Sequence, residues 1–267
     1  MGLSVFSTSA LNTFFLYIYS FVIGAFYNLA SLGVYTQADK WSKMGSASIS
    51  QVLTASFVPV LARVQDDGPN FRRYMTRVNR FAAFILFPVM IGVAAVGTPL
   101  FHLLFGTKWD AAIPLFQILT VRGIFVVLIS LYNNYLLALG YGRRMIIVET
   151  VKEAMIFVAI LATVWFHSVE LLVWGQLGAS VVTWMVVLGI TSRATGYRAT
   201  AMLHDLAPFA ALGIAMGAIA LAVMNLVALP ALQLLLMTVT GSAVYILIAR
   251  LLSLPELTES ISYLRRR

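Results

Sequence analysis

Eight runs of about twenty predominantly apolar residues follow one another along this chain, at residues 9–31, 44–64, 81–105, 111–139, 145–166, 170–192, 206–227 and 231–252. A helix needs about 20 such residues to cross the hydrocarbon core of a bilayer. The runs are continuous, without the ten-residue alternation of an outer-membrane barrel, so helices are predicted. The expected fold class is an all-α polytopic membrane protein of about eight transmembrane helices. Only 10% of the 267 residues are charged, against about 25% in soluble domains. No Gly-Ser or Pro-rich linker separates the runs, so no soluble domain is expected.

The first run lacks a basic flank before it and a small-residue cleavage motif after it, so it is expected to remain as a helix. The second, "SASISQVLTASFVPVLA", is polar enough that it should face protein or water rather than lipid. Pro59, Pro88 and Pro99, accompanied by Gly92, Gly97 and Gly106, should bend the second and third spans.

The 18 Lys and Arg residues set the expected orientation. Arg63, Arg72, Arg73, Arg77, Arg80, Arg143, Arg144, Lys152, Arg193, Arg198, Arg250, Arg265, Arg266 and Arg267 fall in the even-numbered connections and at the C-terminal end, whereas the odd-numbered connections hold only Lys40, Lys43 and Lys108. Short cytoplasmic loops collect such residues, which predicts cytoplasmic termini. Topology therefore accounts for the basic isoelectric point, and nucleic-acid binding is not needed to explain it.

Function classes narrow further. There is no cysteine, so disulfides, iron–sulfur clusters and thiol nucleophiles are excluded. His102, His167 and His204 are scattered without metal-site spacing, and neither a metal nor a cofactor is expected. "GYGRR" lacks GxGxxG spacing and reads as a turn. In "QDDG", Asp66 and Asp67 read as the start of a helix with Pro69 in its first turn, against the paired aspartates of a glycosyltransferase. Arg72, Arg73, Arg77 and Arg80 follow at helical spacing, as an amphipathic cytoplasmic helix that anchors the protein at the membrane or recruits an anionic lipid headgroup.

Arg122, in "ILTVRGIFVVLI", is the one cation expected at bilayer depth, where it costs about 3 kcal/mol. Three readings remain open: a ligand or water-filled cavity, pairing with Glu149 or Glu153, or a solvated bystander. Asn133 stands eleven residues on along the same helix face. Glu149, Lys152 and Glu153 share a face at i, i+3 and i+4, as a solvated helix cap or as a cation or proton site at a cavity mouth.

Several stretches together resemble polysaccharide exporters of the Wzx type, in the colanic-acid-exporter-like branch of the multidrug/oligosaccharidyl-lipid/polysaccharide flippase superfamily. They are "LGVYTQADKWSKM", "FVPVLARVQDD", "FPVMIGVAAVGTPLFHLLFGTKWDAAIPLFQIL" and "NNYLLALGYGRRMIIVETVKEA". The resemblance covers about residues 1–200, and "GRRM" departs from the family's usual turn into the fifth span. It implies a six-helix lobe at 1–200, matching the second lobe of such exporters, then two further helices and a basic tail at 201–267. The implied activity is passage of undecaprenyl-diphosphate-linked oligosaccharide across the bacterial inner membrane. Arg122, Asn133 and Asn134 would hold pyrophosphate and glycan, and Glu149, Lys152 and Glu153 would serve ion coupling. Partners would be the bilayer, the lipid-linked oligosaccharide, and a second lobe or other polysaccharide-assembly proteins. The rivals are a half-protein unable to transport without a partner lobe, a drug antiporter of the same superfamily, and a polytopic polysaccharide polymerase or ligase.

Overall fold

The computed structural model describes residues 18–64, 67–166, 168–252 and 254–256. Residues 9–17 of the first expected span, Asp66, His167, and Arg265, Arg266 and Arg267 of the basic tail lie outside these. The described residues form an all-helical bundle: α1 (residues 18–26), α2 (Leu29–Arg63), α3 (Gly68–Ala95), α4 (Gly97–Phe105), a single 3₁₀ turn (Thr107–Trp109), α5 (Ala112–Ala138), α6 (Gly142–Phe166), α7 (Val169–Thr195), α8 (Ala199–Met224) and α9 (Pro230–Leu251). Six of these, α2, α3, α5, α7, α8 and α9, are long and apolar enough to cross a membrane. The first three turns of α6 carry Arg144, Glu149, Lys152 and Glu153, which leaves it a shorter apolar stretch than its neighbours.

Two connections expected from the sequence are helix instead. Lys40 and Lys43 were expected in an outer loop, yet they lie within α2, whose 35 residues extend about 50 Å at 1.5 Å per residue. Asn28 sets its start by accepting a hydrogen bond from Ser31 N at 2.8 Å, as an N-cap does. Likewise, Arg72, Arg73, Arg77 and Arg80 do not form a separate amphipathic helix. They occupy the first turns of α3, which runs on as the third span. Asp67 caps α3 by accepting from Asn70 N at 3.1 Å, with Pro69 in its first turn. The third span is broken, at Val96 rather than at Pro88, which lies within α3; Pro99 falls in the first turn of α4, where no hydrogen bond is lost.

The helices pack chiefly as α2 on α5, α3 on α8, α5 on α7, α6 on α7 and α8 on α9. In lipid no hydrophobic force draws helices together, so contact depends on small residues and interhelical hydrogen bonds. Gly123 of α5 is pressed so closely by α2 and α3 that a Cβ there would meet Ser46 Cβ at 3.1 Å and Met90 Cε at 2.5 Å. Farther along, Ser50 Oγ donates to Ser130 Oγ at 3.2 Å and Asn134 Nδ2 to Thr54 Oγ1 at 3.3 Å. This is why α2 can afford so many Ser and Thr residues. Gly175 meets Ala159 of α6 in the same way, and Gly213 and Gly217 meet Ile91 of α3. Among the described residues three apolar clusters result, two large ones built around Met75, Leu86, Tyr135 and Phe209 and around Ile23, Phe101, Phe116 and Leu172, and a small one of Ala95, Ala220 and Met237.

Arg72, Arg73, Arg77 and Arg80 gather in the first turns of α3, which makes that end of the bundle basic. There Thr76 Oγ1 donates to Tyr197 OH at 3.0 Å, and Tyr197 OH donates to Asp205 Oδ2 at 2.7 Å, which ties α3 to the start of α8. Burial raises the Tyr197 phenol above its ordinary value, so it stays protonated as that donor.

Candidate functional site

Helices α1, α2, α5, α6 and α7 line a partly open cavity of about 700 Å³. All six residues expected from the sequence to bind substrate or coupling ion line it: Arg122, Asn133 and Asn134 from α5, and Glu149, Lys152 and Glu153 from α6. The arginine stripe of α3 does not. Arg73, Arg77 and Arg80 line a different pocket at the basic end of the bundle, and Arg72 Nε donates to Gly68 O at 3.3 Å in its own first turn.

The convergence follows from helix geometry. Arg122, Val126, Ile129 and Asn133 recur at three- and four-residue intervals, so they form one stripe of α5, and the whole stripe faces the cavity. Two further stripes were missed in the sequence. One is Tyr35, Asp39 and Lys43 on α2; the other is Gln176, Ser180 and Thr183 on α7. Each repeats at i, i+4 and about i+7, which is the signal that could have found them. Tyr19 of α1 also lines it, together with Ser130, Met145, Ile156 and Ala179.

The lining cations and carboxylates match three to three among the described residues, but they do not pair evenly. Lys43 pairs with Asp39 at 2.5 Å, and Lys152 bonds Glu149 and approaches Glu153 Oε1 at 3.5 Å. Arg122 has no carboxylate partner among the described residues; its Nε donates to Ser180 Oγ at 3.3 Å. Glu149 and Glu153 pair instead with Lys152, which stands one turn on from Glu149 and next to Glu153. A guanidinium has five N–H donors, and one weak bond to a hydroxyl leaves most of that capacity unspent.

The acceptors have a matching surplus. Gln176 is buried and its Nε2 donates to Tyr35 OH at 3.1 Å, which fixes the amide, while its Oε1 has no hydrogen-bond partner. The same is true of Asp39 Oδ1, Asn133 Oδ1 and Glu153 Oε2. Buried polar atoms are nearly always satisfied by protein, water or ligand. Four such oxygens around one cavity make it a place for hydroxyl, ammonium or water donors, beside a cation that favours an anion.

Comparison with known proteins covers the chain in part. A family model described as "Polysaccharide biosynthesis protein" matches residues 1–114, a range that includes α2 and the α3 arginines and ends before Arg122. Teichuronic acid biosynthesis protein TuaB of Bacillus subtilis is 29% identical over 119 residues, which is 45% of this chain and 25% of that protein. Lipopolysaccharide biosynthesis protein WzxC of Escherichia coli is 28% identical over 92 residues, 34% of this chain and 19% of that protein. Succinoglycan biosynthesis transport protein ExoT of Rhizobium meliloti is 22% identical over 121 residues, 45% and 24%. The chain thus spans about a quarter of the length of the curated relatives it matches. Over that part it is similar to Wzx-type polysaccharide exporters.

Proposed function

We propose that this chain contributes to the passage of undecaprenyl-diphosphate-linked oligosaccharide across the bacterial inner membrane for polysaccharide assembly. The observation that carries the reading is Arg122: a half-buried guanidinium without a carboxylate partner among the described residues, in a cavity whose other polar lining consists of hydroxyl, amide and ion-paired groups. A diphosphate is a multiply charged anion that must pass the low-dielectric midplane, and a guanidinium fork matches phosphate oxygens in pairs. Asn133, Asn134 and Gln176 supply amide groups of the kind that bind sugar hydroxyls. Glu149, Lys152 and Glu153 form the coupling group, in which a cation or proton would compete with Lys152 for the carboxylates. Both termini, and the basic end of the bundle, face the cytoplasm. The sequence divides into the six-helix lobe at 1–200 and the two further helices and tail at 201–267.

A second lobe would complete the pathway. Thr36, Lys40, Ser48, Gln51 and Thr54 on the exposed side of α2 form a polar face that hydrocarbon tolerates poorly, and it continues from the cavity wall formed by Lys43 and Asn134. A second helical bundle, from a longer chain or a separate one, would cover it and form the other wall.

The test is export of lipid-linked glycan in cells that depend on the intact transporter. Arg122→Ala is expected to abolish export while the protein still accumulates in the membrane, with Arg122→Lys partly active. Normal export by Arg122→Ala would remove the arginine from the pathway and the reading with it.

A further inference from the structure

A second polar pocket lies at the basic end of the bundle, and its chemistry is the reverse of the cavity's. It measures about 640 Å³ and is lined by Arg73, Arg77 and Arg80, with Asn70, Tyr74 and Glu256. The three arginines fall at i, i+4 and i+7 on α3, so they point from one face. Against them the described lining sets a single carboxylate. Glu256, from the short segment after α9, is almost buried and holds Arg80, Nε to Oε1, at 2.5 Å. The other side of that guanidinium lies over the Phe209 ring, 5.4 Å from its centroid. Arg80 is thus held between an aromatic face and an anion, with Arg73 and Arg77 exposed beside it.

We infer that this pocket is a binding site for a phosphate-bearing anion, the headgroup of an anionic membrane phospholipid, and that Glu256 competes with it for Arg80. The inference rests on the reading of the α3 arginines as a membrane anchor and adds a defined pocket with an internal competitor. An anionic leaflet attracts such arginines generally, but a surface attraction would not require a carboxylate of the same chain to be seated among them. Glu256 stands where a phosphate oxygen would sit, and planar guanidinium groups bind either anion through the same fork. The volume leaves room for a headgroup beside Arg73 and Arg77 once Arg80 turns from Glu256.

The experiment uses the purified full chain in neutral detergent and native mass spectrometry with added phosphatidylglycerol or phosphatidylcholine. Phosphatidylglycerol is expected to bind preferentially, about tenfold or more weaker in the double variant Arg73→Gln/Arg77→Gln and several-fold tighter in Glu256→Gln. Should Glu256→Gln fail to fold, Glu256→Asp, which withdraws the charge by one methylene, is expected to give a smaller gain. Inorganic phosphate and glycerol phosphate are the soluble arms. If they displace the lipid, the headgroup phosphate is the recognised group; if they bind alike with no lipid preference, a free anion is the ligand and the lipid assignment falls. Selective lipid binding that is unchanged in the Glu256 variants would overturn the competition while leaving the anchor standing. Equal binding of both lipids by every variant would overturn both.

Discussion

Helices α5 and α7 carry two hollows of nearly equal size and opposite character. The polar cavity of about 700 Å³ lies on one side of the pair. On the other, an open groove of about 730 Å³ is lined by Phe87 and Ile91 of α3, Val121 and Phe125 of α5, Trp174 and Leu177 of α7, and Ile214 of α8. Arg122 and Val121 are adjacent in sequence and face different hollows. The groove's one amide, Gln117, is satisfied locally: its Nε2 donates to Ala94 O at 3.2 Å. The cavity's Gln176 also donates through Nε2, to Tyr35 OH, but its buried Oε1 has no hydrogen-bond partner among the described residues. Lipid tails can cover the groove without loss, because they are as apolar as its lining. They cannot cover the cavity, where, among the described residues, a cation has no carboxylate partner and four buried acceptors have no hydrogen bond. One amphipathic helix pair therefore separates a surface that hydrocarbon suits from one that needs water or ligand, and the proposed transport chemistry belongs to the second.

The comparison is broken most severely by moving the cation across α5. In Val121→Arg/Arg122→Val the composition is unchanged, but the guanidinium enters the groove, at a cost of about 3 kcal/mol. The membrane-inserted, monodisperse fraction of a fluorescent fusion should fall more than tenfold. Arg122→Val alone should leave that fraction nearly unchanged, since it removes one weak hydroxyl bond. Equal yields for the two variants would mean that the faces do not differ as lipid and pathway do.

Next in size come the glycines that hold the cavity's walls together. Gly123→Val inserts a branched side chain where Ser46 and Met90 already touch. Gly175→Val does the same against Ala159, the α6 side of the cavity. Overpacking of this kind costs about 1–3 kcal/mol, to be read as a lower melting temperature in detergent. Gly178→Val, where nothing lies within 4 Å, is the control and should be within about 0.5 kcal/mol of the parent. A loss at Gly178 as large as at Gly123 would show that helix propensity rather than packing is being measured.

The groove's helices were legible in the sequence because hydropathy reports what faces lipid or core. The boundaries that failed involve charges. Lys40 and Lys43 ended a hydropathy window and so suggested a loop, but Asp39 neutralises Lys43 along the helix and α2 continues through them. The cavity was legible in part. Arg122 is conspicuous against its apolar neighbours, and the Glu149–Lys152–Glu153 spacing identifies a shared face. Gln176 and Ser180 were passed over because a single amide or hydroxyl barely lowers the hydropathy of "LLVWGQLGASVVTW". That these stripes meet is a property of packing, set by Gly123 and Gly175, and no periodicity along one helix contains it.

The smallest expected effect sharpens the comparison at its most similar point, the two glutamines. Gln117→Leu removes a bond that α5 makes to a carbonyl at the break between α3 and α4, and lipid-facing Leu replaces it. Interhelical hydrogen bonds in membranes average about 0.6 kcal/mol, so stability should change by no more than that and export should not change at all. Gln176→Leu is expected to alter stability equally little, because Tyr35 OH is the only partner shown for it. Yet it should lower glycan export several-fold, since it removes an acceptor and its fixed orientation from the pathway wall. The measurement is melting temperature and export on the same four preparations: parent, both single variants and the double. If Gln117→Leu impairs export as much as Gln176→Leu, the groove belongs to the pathway too, and the division across α5 is one of solvation rather than of function.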